Sequence, residues 1–239
     1  MKSIKVLIAV AIAALSLNAN AQLVKKTDGY DRAQASFVIH NISVDYATDY
    51  EYANYRDIDA KGVEIGYIKG INLTNRRPLF LELGGELTFS HAKKEHHETY
   101  DLGFYTITEK SEYKSTFLSI GIPVDAAYKF SFSSNDISVT PFFGFNFKVN
   151  LLGKEKDKEY EYAEDKEVEY KYSYFDSDAE EVGDDTANRF QFGLNLGVGV
   201  DLGNFYVGYR FQPDLIKYWK NDNFEMKSHT SLVTVGLYF

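Results

Sequence analysis

A chain of 239 residues with 44% hydrophobic side chains, 26% charged side chains and a formal net charge of -9 has the length for one large domain or two small ones. Its 19 Tyr and 18 Phe carry too much apolar surface for a disordered polymer, and its acidic balance leaves no excess of cations for phosphates, so no nucleic acid partner is expected. The absence of cysteine removes disulfide scaffolds, thiolate zinc sites and thiol catalysis.

Residues 1–21 read as a cleaved signal peptide. Lys2 and Lys5 precede an apolar run from Val6 to Leu17, and Ala19-Asn20-Ala21 supplies the small residues a signal peptidase needs. The run is too short to span a bilayer as a helix, which takes about 20 apolar residues. Export through the Sec translocon is expected, leaving residues 22–239 as one domain.

The remainder alternates with a period of two, the mark of strands whose successive side chains point to opposite faces. The first strand, Ala35 to Tyr46, is irregular: Phe37 and Ile39 fall on one face, Ile42 and Val44 on the other, and a bulge would restore its register. Val63, Ile65 and Tyr67 then oppose Glu64 and Gly66. Leu79, Leu81, Leu83, Leu87 and Phe89 oppose Glu82, Gly84, Glu86 and Thr88, and Leu118, Ile120, Ile122 and Val124 oppose Ser119, Gly121, Pro123 and Asp125. Val139 to Val149, Phe190 to Leu202, Phe205 to Gln212 and Val233 to Phe239 repeat the pattern, giving eight strands.

The connections alternate as well. Thr74 to Pro78, Ser131 to Asp136 and Leu202 to Asn204 are short, whereas Tyr50 to Ala60, His91 to Tyr113, Gly153 to Ala187 and Pro213 to Lys227 are long and charged. The pattern predicts an all-β fold: an eight-stranded antiparallel up-and-down transmembrane β-barrel, with short periplasmic turns and long extracellular loops. A soluble carrier would turn its phenylalanines inward instead. The aromatic strand ends Tyr128, Phe130, Tyr209, Phe211 and Tyr238 and the glycine-rich polar face favour lipid outside and a crowded lumen inside.

Gly121-Ile122-Pro123-Val124 with Tyr128-Lys129-Phe130, Phe192-Gly193 through Gly197-Val198-Gly199-Val200, and Phe205-Tyr206-Val207-Gly208-Tyr209-Arg210-Phe211 together resemble the outer-membrane β-barrel domain of the PorT and OmpA-like type of Bacteroidota. The resemblance implies outer-membrane localisation, insertion by the barrel assembly machinery and no inherited active site. Leu237 and Phe239 resemble its carboxy-terminal assembly signal, although Thr234 stands where many such signals have glycine.

Within the barrel, Glu64, Glu82, Glu86, Asp125 and Asp201 are expected on the inner face with Lys129, Lys148 and Arg210 as partners, because an isolated buried charge costs several kcal/mol. The loop from Lys154 to Asp185 carries 14 acidic residues and five lysines. In it, Tyr160, Tyr162, Tyr170, Tyr172 and Tyr174 keep the period of two, predicting a hairpin that turns near Glu164 and Asp165 and offers contacts to a protein or glycan.

His91, His96 and His97 with Glu95 and Glu98 have the chemistry of metal ligands but no closed motif, and neither metal nor cofactor is expected. A membrane-embedded hydrolase would need Ser, His and a carboxylate from different strands converging at the rim, and the sequence has no Gly-x-Ser-x-Gly motif. The expected role is structural or interactive rather than enzymatic. The alternatives are a narrow channel for small solutes, a soluble or accessory barrel of a secretion machine, and a membrane-embedded hydrolase.

Overall fold

The computed structural model describes residues 29–46, 57–74, 77–101, 106–132, 137–161, 166–175, 187–220 and 224–239. The expected signal segment, residues 1–21, lies outside them.

Eight long strands form the wall: β1 (Tyr30–Tyr46), β2 (Ile58–Asn72), β3 (Leu79–Asp101), β4 (Thr106–Tyr128), β6 (Ile137–Glu161), β8 (Phe190–Leu202), β9 (Phe205–Pro213) and β11 (Phe224–Tyr238). Three short strands accompany them, β5 (Phe130–Ser131), β7 (Lys166–Ser173) and β10 (Trp219–Lys220). Each wall strand pairs antiparallel with its neighbours in the order β1-β2-β3-β4-β6-β8-β9-β11, and β11 pairs back onto β1 from Arg32↔Tyr238 to Tyr46↔Phe224. Closure satisfies every wall strand on both edges, which a sheet surrounded by lipid requires.

Burial assigns the faces. Ile122 and Phe143, on the outward face, are 52% and 50% exposed, whereas Gln191 and Asn195 on the inward face are fully buried. The apolar residues therefore form an outer band and the polar ones fill the lumen, the reverse of a soluble carrier. The three short turns gather at one end with the start of β1 at Tyr30 and the end of β11 at Tyr238. There Gly203 takes a φ of 63°, which glycine adopts without a Cβ clash.

Near that end glycine also serves close packing. Gly199 and Gly208 face each other across β8 and β9, and the Tyr206 ring lies over both, so that a Cβ on Gly199 would come within 2.2 Å of the ring. The Arg32 guanidinium covers the ring's other side, 3.9 Å from its centroid. Gly199→Val should expel Tyr206 from this slot and cost about 1–3 kcal/mol. The check is the temperature at which the folded, faster-migrating band disappears on gels of unboiled samples.

The first strand and one loop differ from expectation. β1 begins at Tyr30 and keeps an unbroken register with both neighbours, so it has no bulge; Ile42 lies on the same inward face as Arg32 and Ser36, and is apolar there because it packs into an aromatic cluster at the barrel's mouth. The register shift falls instead in β6, where Leu118↔Leu152 is followed by Ser119↔Asn150 and leaves Leu151 unpaired with β4. The expected loop His91 to Tyr113 is mostly strand, because β3 and β4 continue pairing to Asp101↔Thr106. The hairpin expected in the acidic segment is present: β6 continues to Glu161, and β7 returns along it from Glu161↔Lys166 to Lys154↔Ser173.

Candidate functional site

Because the barrel is narrow, its inward side chains meet, and they meet in layers. At the turn end Arg32 reaches Glu82 with Nη1 at 3.3 Å from Oε1 and Nη2 at 3.2 Å from Oε2, and the Tyr30 hydroxyl donates to Oε1. Lys129 Nζ lies 3.3 Å from Asp201 Oδ2, an oxygen that also accepts from Ser138 and Thr140, while Tyr238 donates to Oδ1. The Lys129 ammonium sits 4.0 Å from the ring centroid of Tyr30 and 4.2 Å from that of Tyr238.

One layer up, Arg210 Nη2 bridges Glu64 Oε1 at 2.7 Å and Glu86 Oε1 at 2.6 Å. Thr88 and Ser36 donate to Glu64, Gln34 donates to Glu86, and Asn195 Nδ2 donates to Asp125 Oδ1 at 2.9 Å. A third layer joins Lys148 Nζ to Asp214 Oδ2 at 3.0 Å, with Ser228 donating to the same oxygen.

All eight lumen charges named from sequence face inward and are buried. Two more, Arg32 and Asp214, were missed. Arg32 lay upstream of the strand start taken from periodicity, although Arg32, Gln34 and Ser36 continue the polar alternation. Asp214 lay in an assigned loop. The lumen thus sets four cations (Arg32, Lys129, Lys148, Arg210) against six carboxylates, so hydroxyl and amide donors have to hold what the cations do not.

Above these layers the segment after β9 folds inward instead of outward. Gly193 bridges Asp214, the Leu215 amide donates to Phe192 O, and the Tyr218 amide donates to Met226 O. This seats Tyr218 and Trp219 in the barrel's mouth with Ile42, Phe117, Tyr174, Phe175, Phe224 and Met226, all buried. Tyr174, named as an exposed contact residue, is one of these cap residues: its ring stacks 5.7 Å from that of Phe117 and its hydroxyl donates to Glu155. Its amide is held by Gly153 O, which turns the chain inward at the point where β7 ends.

Beyond the mouth, β3, β4, β6 and β7 continue as a four-stranded sheet. Tyr170 lies on its inward-facing side, half-buried. Tyr160 and Tyr172 lie on β6 and β7, and Tyr162 falls outside the described residues. On the outward side Glu112 meets Lys114 and Lys93, and Glu169 meets Lys156 and Lys171. Lys114 and Lys93 hold the Glu112 carboxyl at about 2, and Lys156 and Lys171 do the same for Glu169, against the usual 4.5.

A folded pKa below the unfolded one means that these pairs contribute fully above 4.5 and are lost as pH falls toward 2. Carboxyl-carbon NMR titration should give midpoints near 2 for both residues. Midpoints near 4.5 would show that the pairs do not hold in solution.

His91, His96 and His97 all lie on β3. His91 is exposed, 3.0 Å from Thr116 Oγ1, and Glu95 pairs with Lys93. His96 and His97 lie farther along β3, where the backbone pairs with Ser111 and Lys110 of β4. Among the described residues no group of three or more metal-binding side chains is present. A Ser–His contact exists inside, Ser90 Oγ to His40 Nδ1 at 3.5 Å, but His40 Nε2 has no hydrogen-bond partner among the described residues. The shallow cleft of about 680 Å³ at the turn-side rim is lined mainly by Pro78, Tyr128, Phe130, Phe132 and Val139, an interfacial aromatic surface.

The sequence pattern of the outer membrane protein beta-barrel domain matches residues 25–219. The chain belongs to this outer-membrane β-barrel family. Among solved structures, this barrel is similar to Ail, the attachment invasion locus protein of Yersinia pestis, at 12% identity over 89% of this chain and 99% of that one, with a TM-score of 0.35. It is also similar to Neisserial surface protein A at 14% identity, over 88% and 97% of the chains, with a TM-score of 0.41. The N-terminal barrel domain of Pseudomonas aeruginosa OprF matches at 11% identity over 87% and 99%, with a TM-score of 0.22. No curated protein matches the chain. As an outer-membrane barrel it lies in the cell envelope, its outward apolar band against lipid, its short turns periplasmic and its sheet extracellular.

Proposed function

We propose that this outer-membrane barrel is a closed, non-catalytic scaffold whose extracellular sheet contacts a protein or glycan at the cell surface. The observation that carries the reading is the way the lumen closes while the wall goes on. Three ion-paired layers and an aromatic cap fill the interior, and four strands continue well above the mouth as an ordered sheet. A solute pore needs a continuous watery path, whereas a contact surface needs a platform held clear of the membrane, and the paired sheet supports the second reading.

The finer placement in the PorT and OmpA-like type rests on the strand sequences around Gly121, Gly197 and Gly208. Sec export and recognition of Leu237 and Phe239 by the assembly machinery complete the proposed route. In the barrel both residues lie on the outward side of the last turn-end residues, with Leu237 opposite Ala33.

Planar-bilayer recording of the full chain should show no steady openings, and steady openings would overturn the closed scaffold. In parallel, replacing Lys156 to Lys171 by a two-residue Asn-Gly turn should leave barrel folding intact and abolish binding to whichever protein or glycan an array of surface ligands identifies. Undiminished binding by that variant would remove the sheet from the role.

A further inference from the structure

The 154–185 segment has a local excess of acidic residues, but strand pairing sorts its charges by face. Along Lys154-Glu155-Lys156-Asp157-Lys158 the sign alternates with the strand period, so β6 turns its lysines outward and its carboxylates toward the barrel axis. The neighbours are in register with it. Lys93 pairs with Lys114, Lys114 with Lys156, and Lys156 with Lys171, so four lysines stand side by side across β3, β4, β6 and β7. Like charges directly opposite one another are unfavourable in a sheet unless an anion lies among them.

Anions lie on one side only. The row above the lysines, farther from the membrane, holds Glu95, Glu112, Lys158 and Glu169, and these glutamates make the ion pairs described above. The row below holds His91, Thr116, Lys154 and Ser173, with no carboxylate, and Lys154 has no ion pair among the described residues. Below that comes the apolar row Phe89, Leu118 and Leu152. Across the three polar rows six lysines face three glutamates, a net +3 on one surface of a chain that is -9 in total.

The position relative to the bilayer is set by strand geometry. The lysine row lies four residues beyond the last apolar row, about 13 Å along the strands and about 9 Å in height at a tilt near 45°. The headgroup layer is about 5–7 Å thick on each side, within reach of lysine side chains that bend down from such a row. We propose that Lys93, Lys114, Lys154, Lys156 and Lys171 form a site for phosphate-bearing lipid headgroups of the outer leaflet, binding anionic lipid against this side of the barrel. The site extends the proposed role without depending on it, since it requires only the outer-membrane position and the outward face.

The test is lipid selectivity in a defined bilayer. The full chain, reconstituted in phosphatidylcholine, is probed with spin-labelled phosphatidic acid and spin-labelled phosphatidylcholine at 0.1 M salt. The wild type should hold phosphatidic acid about fivefold more strongly or better, the scale expected for a basic residue at an anionic surface, and lose the preference as salt rises. Lys114→Gln/Lys154→Gln/Lys156→Gln should abolish it, while Lys227→Gln, on β11 at the opposite side of the barrel, should not. Gel mobility of unboiled samples establishes that each variant is folded, and Lys154→Gln alone, which disturbs no ion pair, should still halve the preference. Equal retention of both lipids by the wild type, or an undiminished preference in the triple variant, would overturn the site. So would capture of a soluble polysulfate with no lipid preference, which would assign the face to an anionic glycan instead.

Discussion

Arg210→Met should unfold or strongly weaken the barrel, by about 3–5 kcal/mol, because it leaves Glu64 and Glu86 buried against each other with their shared cation gone. Both carboxylates keep their neutral donors, Thr88 and Ser36 for Glu64 and Gln34 for Glu86, but an amide or hydroxyl does not replace a full positive charge. The controlling variant is Arg210→Met/Glu64→Gln/Glu86→Gln, which removes the whole ionic set. It should recover most of the loss, since a buried ionic group replaced as a unit is often near neutral in cost. Urea unfolding in detergent, followed by gel mobility, gives both values. If the single and triple variants were equally weak, Arg210 would matter through its packing and not its charge.

The second large effect belongs to the cap. Tyr218→Ala and Trp219→Ala each remove a nearly fully buried ring, and each should cost about 3–5 kcal/mol if the cap cannot collapse around the gap. Tyr218→Phe separates packing from polarity. The Tyr218 hydroxyl is buried with no hydrogen-bond partner among the described residues, so removing it should leave stability unchanged or raise it by about 1 kcal/mol. Even the double alanine variant should stay silent in a planar bilayer, because the Lys148–Asp214, Arg210 and Arg32–Glu82 layers lie beneath the cap. Steady openings in that variant would make the cap a gate and the lumen a pore.

Much of this molecule was legible in its residue order because a lipid-facing barrel imposes one rule on every wall strand. Ile120 and Ile122 had to face lipid and Asp125 had to face inward, and a period of two carries that information locally. The strands were harder to bound where that rule lapses. Past the membrane both faces meet water, so the β3 and β4 continuation beyond His91 lacks apolar alternation and reads as a charged loop. Its pairing is specified by the register inherited from the membrane segment below and by cross-strand ion pairs such as Lys93–Glu112. At the mouth the rule inverts: Ile42 and Tyr174 turn inward onto other aromatic residues, which local periodicity reads as a fault in the strand or as an exposed contact.

Alternation within single strands was enough for the count of wall strands, the antiparallel barrel class, the outward apolar face and eight of the ten charges that share the lumen. Tertiary structure alone decided which charges pair, with Glu82 taken by Arg32 and Lys148 by Asp214, because partners 50 to 66 residues apart meet only once the shear of the closed barrel is set. It decided the inward fold of Tyr218 and Trp219 for the same reason, as the mouth they fill does not exist until eight strands surround it. The lysine row is the plainest case: Lys93, Lys114, Lys156 and Lys171 are scattered along the chain, and only the register of four adjacent strands brings them into one line.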